Sequence, residues 1–131
     1  LLRRLDAVAA SANCRLRVLL QVNAGKDPAK FGISPEETDS FLEAALTCSN
    51  LQVEGLMTIA PFAPENPSVA RNCFESFREL RDRLVGSFQV ELPELSMGMS
   101  GDMEEAIRAG STLIRVGSAL FGDRIQRSPL I

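Results

Sequence analysis

Four short apolar runs alternate with stretches of helical spacing along the whole chain, and that alternation constrains the fold more than any other feature. The runs are Leu16–Val22, Leu51–Ile59, Glu94–Met97 and Thr112–Val116. Each is short and bounded by polar or turn residues, as buried strands are. Between them lie segments with apolar residues three and four apart, such as Val69, Cys73, Phe74, Phe77, Leu80 and Leu84, which mark one face of a helix. Strands alternating with helices predict parallel βαβ units. The predicted order is α-β-α-β-α-β-α-β followed by a single helical turn at Ser118–Phe121.

Punctuation supports this reading. Ser34-Pro35-Glu36-Glu37 supplies a capping serine, a proline at the first helical position and a glutamate three residues on, able to bond back. Asn66-Pro67 repeats the cap-plus-proline start before the long helix, which is expected to end near Gly86. The segment Ala60–Pro67 holds three prolines and is irregular. Asp102–Ala109 reads as a short helix closed by Gly110, which suits a left-handed position. The first residues, from Leu1 to Cys14, have helical spacing but no cap, so the opening helix looks cut into.

Ligand sites in parallel α/β folds lie at the C-terminal ends of the strands. Here those ends are Asn23, Ala60, the turn Leu95-Ser96-Met97-Gly98-Met99-Ser100, and Val116-Gly117-Ser118. Four such units make either a small doubly wound sheet or half of a (β/α)8 barrel, and the uncapped opening helix favours the half barrel. Gly117-Ser118 offers a glycine that admits close approach, a hydroxyl, and unpaired N–H groups at the start of a helical turn. That combination suits a phosphate. Ser100 stands at a second helix start, where it either caps the helix or binds an anion. Adjacent strand ends after the last two strands of a barrel frequently build one phosphate site. Met97, Met99 and Met103 are flexible apolar filler, expected to line or pack beneath the pocket.

Composition narrows the chemistry. With 14 basic and 17 acidic residues the net charge is −3, and no basic cluster is dense enough for a nucleic-acid footprint. No apolar run approaches a bilayer span and no signal peptide is evident, so a cytoplasmic location is expected. The chain contains no histidine, tyrosine or tryptophan. Histidine triads and histidine metal ligands are thereby excluded within it. Cys14, Cys48 and Cys73 are widely spaced and odd in number, which predicts buried free thiols and no zinc site.

The segment LSMGMSGDMEEAIRAGSTLIRVGSALFG resembles the closing part of the pyridoxal-phosphate homeostasis proteins, a family related to the alanine racemase barrel domain. Leu20–Asn23 with Lys30–Ile33, and Val53–Ile59, resemble the same family in the same order. The resemblance covers about residues 17 to 124. It implies a parallel (β/α)8 barrel of which residues 1–131 form the C-terminal part, and pyridoxal 5′-phosphate as cofactor. It also implies that Ser100, Gly117 and Ser118 hold the phosphate, that Arg115 faces the pyridine nitrogen, and that Met97 belongs to the cofactor-binding set. No residue is implied as catalytic. The family's Schiff-base lysine sits on an early strand, and nothing from Leu1 onward corresponds to it; Lys26 and Lys30 read as solvated loop cations.

The function implied is vitamin B6 homeostasis: holding pyridoxal phosphate and delivering it to apo enzymes. The remainder of the barrel, or a second copy, would cover the exposed sheet edges. Two alternatives stay open. One is an enzyme domain of the racemase or decarboxylase type that depends on pyridoxal phosphate. The other is a small α/β interaction module without a cofactor.

Overall fold

The computed structural model describes residues 1–125. Helix α1 (Leu2–Ser11) leads into strand β1 (Leu16–Gln21). A 3₁₀ turn (Pro35–Glu37) opens directly into α2 (Thr38–Leu46), and β2 (Leu51–Met57) follows. The long helix α3 (Pro67–Phe88) precedes β3 (Glu94–Met99), and α4 (Met103–Arg108) precedes β4 (Leu113–Arg115). A helical turn, α5 (Ser118–Phe121), comes last. The predicted order is observed throughout.

All four strands are parallel and lie in the sequential order β1-β2-β3-β4. That order decides between the two architectures. Right-handed crossovers that always step in the same direction put every connecting helix on one face of the sheet. A doubly wound sheet needs a reversal, and this one has none. The core agrees: Leu20, Val22, Leu56, Leu95 and Met97 from the sheet region pack with Leu42 and Ala45 of α2, Phe74, Phe77 and Leu84 of α3, and Ala106 of α4. Phe74 and Phe77 are fully buried. The chain therefore forms four βα units of a (β/α)8 barrel. One residue, Glu54, bulges from β2 where the register with β1 shifts, and it receives Arg17 at 2.6 Å.

The capping box is present: Glu37 N–H donates to Ser34 Oγ (3.3 Å), and Ser34 N–H donates to Glu37 Oε2 (3.2 Å). Three expectations need correction. Asn66 does not cap α3; its Oδ1 accepts the Ser68 hydroxyl instead. Helix α3 runs past Gly86 to Phe88 and ends at Gln89 with φ +51°, so a glutamine takes the left-handed position. The helix runs through Gly86, where a Cβ would meet no atom within 4 Å. Of the cysteines, Cys48 and Cys73 are buried and Cys14, beyond the end of α1, is exposed; all three are free. Among the described residues no helix is long and apolar enough to cross a membrane, and no cluster of metal-ligating side chains occurs.

Candidate functional site

The strand C-termini converge on one cavity of about 400 Å³. Its walls come from every loop on that side. Lys30 comes from the loop after β1, Ile59 to Pro64 follow β2, Met99 to Asp102 follow β3, and Gly117 and Ser118 follow β4. Pro67 and Ala70, at the start of α3, and Glu105 of α4 complete it. Parallel strands place these loops together because all of them end at the same edge of the sheet.

Ser100, Gly117 and Ser118 are brought together as expected from their positions after neighbouring strands. Ser100 caps nothing in α4, whose N-cap is Asp102 without a side-chain bond. Its hydroxyl turns across to the next strand end and accepts the Ala119 N–H at 3.2 Å. The turn after β3 is closed by Asp102, whose Oδ1 accepts the Met99 N–H at 2.7 Å. Two strand ends are thereby joined through one serine, beside a helical turn whose first N–H groups have no intrahelical partner. Gly101 and Gly117 border open space: a Cβ on either would meet no atom within 4 Å.

Gly98 is the opposite case. It has φ +99°, and a Cβ there would lie 2.5 Å from the Ala106 Cβ. The glycine therefore lets α4 sit against β3, which in turn sets where Ser100 stands.

Two expected site residues are not in the cavity wall. Met97 is fully buried in the core with Phe74 and Phe77, so its thioether packs behind the wall and makes no part of the lining. Arg115 is half-buried beside the cavity. Its Nη1 donates to Ser96 Oγ (2.5 Å) and its Nη2 to the Thr58 carbonyl (2.9 Å). Burial lowers its pKa from the ordinary guanidinium value, and the nearby Asp102 opposes that shift.

Several residues escaped sequence reasoning. Lys30 lines the cavity, whereas Lys26 pairs with Glu36 at the loop surface. The Lys30-Phe31-Gly32 motif was the available signal, but a motif does not say which lysine faces inward. Glu105 is nearly buried and bonds to Arg71 (2.8 and 3.3 Å) and to Arg108 (3.2 Å). The Arg71 hydrogen bond holds the Glu105 carboxyl below the usual carboxylate range, while Glu105 raises the Arg71 pKa. Ser96 and Thr58 gave no signal, since small neutral residues on strands look like packing.

Chemically, the cavity presents a hydroxyl, helix-start amides and one lysine beside the Asp102 and Glu105 carboxylates, which are already bonded to the Met99 N–H and to Arg71 and Arg108, and it has apolar walls from Ala60, Pro61, Phe62 and Pro64.

Known proteins resemble this chain in sequence and in fold. A pyridoxal phosphate homeostasis protein from Aquifex aeolicus is 48% identical over 107 residues, covering 82% of this chain and 46% of the relative. PipY of Synechococcus elongatus, solved without pyridoxal phosphate, matches with TM-score 0.84 and 35% identity over 92% of this chain and 56% of that one. The same protein solved with pyridoxal phosphate bound gives TM-score 0.81. Alanine racemase from Clostridium difficile shares the fold alone, with TM-score 0.77 at 14% identity, covering 94% of this chain and 34% of that one. The chain spans about half the length of the relatives it matches. The model of the alanine racemase N-terminal domain matches residues 1–125, and the chain belongs to that family.

Proposed function

We propose that this chain supplies the phosphate side of a pyridoxal 5′-phosphate site in a protein that holds the cofactor and delivers it to apo enzymes. The observation that carries the reading is the Ser100 bridge to Ala119, which closes two adjacent strand ends into one anion seat on a cavity of about 400 Å³. A pyridine ring with a phosphomethyl arm fits a site with a polar end and apolar walls. The relatives' names and the bound cofactor in PipY support the same ligand. The reading takes residues 1–131 as the C-terminal part of one barrel domain, in a cytoplasmic protein.

Bound pyridoxal phosphate supplies an electrophilic aldehyde and an electron-withdrawing ring. The residues of this chain bind and orient it. Ser100, Gly117 and Ser118 hold the phosphate. Arg115 carries donors and no acceptor, so it faces a ring nitrogen only as an unprotonated acceptor. A ring held that way withdraws electrons weakly, which suits holding and delivery more than carbanion chemistry. The chain also brings no histidine or tyrosine to act as acid or base.

The test is calorimetric titration of the full-length protein with pyridoxal 5′-phosphate and with pyridoxal. The expected result is at least tenfold tighter binding of the phosphorylated form. Gly117→Leu should abolish that preference with little change in thermal unfolding, because the added side chain starts in open space. Equal affinity for both ligands, or a leucine variant that binds like the parent, refutes the reading.

A further inference from the structure

We infer that Ser96 and the Thr58 carbonyl are positioning elements that aim the Arg115 guanidinium, and that Ser96 does so through its hydroxyl. The inference rests on the proposed cofactor reading and assigns a role to residues outside the cavity wall.

Arg115 ends β4, yet its guanidinium crosses β3 to reach the end of β2. The ladder of β2 stops at Met57. One residue on, the Thr58 carbonyl accepts from Nη2 at 2.9 Å, while on β3 Ser96 Oγ accepts from Nη1 at 2.5 Å. Two bonds to two different nitrogens fix the plane of the group and not merely its position.

Both acceptors are themselves held. Thr58 is fully buried and Ser96 is 4% exposed. The Thr58 N–H donates to the Ser96 carbonyl (3.0 Å), and its hydroxyl donates to the Val22 carbonyl (2.7 Å) and receives the Ala24 N–H (3.4 Å). The ends of β1, β2 and β3 are thus locked to one another before Arg115 adds β4.

Neutral acceptors leave the charge intact. Among the described residues Arg115 takes part in no ion pair. A guanidinium has five donors, and the two spent on Thr58 and Ser96 leave the others to address a ligand. A carboxylate at position 96 would also have aimed the group, but it would have paired with the positive charge that a ring nitrogen lone pair meets.

The threonine acts through its backbone, so Ser96 is the group to change. In the full-length protein Ser96→Ala should weaken pyridoxal phosphate binding about tenfold, as expected for one hydrogen bond to a charged group, and Ser96→Thr should restore it. Affinity alone would not separate positioning from packing. The second readout is the ¹⁵N spectrum of the Arg115 side chain without ligand, assigned by its loss in Arg115→Lys. Its Nη signals should be resolved in the parent, averaged by free rotation in Ser96→Ala, and resolved again in Ser96→Thr. Should the alanine variant unfold, Ser96→Cys keeps the volume with a weak acceptor and carries the same expectation. Signals equally resolved without the hydroxyl overturn the inference, as does an alanine variant that binds within twofold of the parent. If the parent itself takes up no pyridoxal phosphate, the cofactor reading falls and the spectrum alone decides whether Ser96 holds Arg115.

Discussion

Gly98→Ala should damage this protein more than any other single methyl group added near the site. Two costs combine. The residue has φ +99°, a conformation that costs an L-residue about 1–3 kcal/mol. The new Cβ would also lie 2.5 Å from the Ala106 Cβ and 3.4 Å from Ile114 Cγ2, and overpacking of that kind costs about 1–3 kcal/mol. The sum is about 2–6 kcal/mol, a large part of the 5–15 kcal/mol that holds a typical domain together. Urea unfolding followed by circular dichroism measures it, with Gly101→Ala as control. Gly101 has no positive φ and no neighbour within 4 Å of a Cβ, so that variant should stay within about 0.5 kcal/mol of the parent. Pairing Gly98→Ala with Ala106→Gly removes the contact and leaves the dihedral cost. The double variant should therefore recover part of the loss after allowing for about 1 kcal/mol from glycine in a helix. A Gly98→Ala protein as stable as the control refutes the reasoning, and a double variant no better than the sum of the singles refutes its steric half.

Part of the acid sensitivity should run through Glu105, alongside the paired carboxylates of Glu36, Asp39 and Glu54. The folded-state pKa of Glu105 is depressed, chiefly by the Arg71 hydrogen bond, so its contribution is present above the unfolded value near ~4.3 and lost as pH falls through the folded value. Glu105→Gln should partly flatten the fall in urea midpoint below that range. The cysteines should separate cleanly under alkylation at pH 8. Cys14 is exposed and should react first, whereas burial pushes the Cys73 thiol up to about 11 and covers it. Mass spectrometry of native and urea-unfolded protein should find Cys73 modified only in the second.

Much of the fold was legible because it depends on local patterns that repeat. Ser34-Pro35-Glu36-Glu37 predicts its capping box from three residue types at fixed offsets, and the box is there. Asn66-Pro67 shares the cap-plus-proline order, with only the proline identical, and fails at the cap. Asparagine can serve as an N-cap acceptor, but here a hydroxyl two residues later takes its oxygen, and that competition is invisible until the chain is folded. Gly86 misled for a related reason. Glycine permits a left-handed end without requiring one, and the helix continued to where Gln89 could take that conformation. The side of the sheet on which the helices lie follows from strand order, which alternation alone does not give.

At the site, legibility depended on whether a residue acts through its backbone position or through a partner chosen by the fold. Ser100, Gly117 and Ser118 could be assembled on paper because strand ends of a parallel sheet share an edge. Whether Ser100 would cap its own helix or reach to the next strand could not be read from its spacing, and the Ala119 N–H decides for the second. Met97, which the resemblance put in the cofactor set, lies in the core, as the expectation that the methionines line or pack beneath the pocket allowed. Ser96, one residue earlier on the same strand, points its hydroxyl to Arg115. A one-residue difference on a strand thus separates a packing thioether from a group that holds a guanidinium, since adjacent residues face opposite sides of the sheet. The serine in the middle of β3, and not the methionine beside it, is therefore where a change in that strand should reach the ligand.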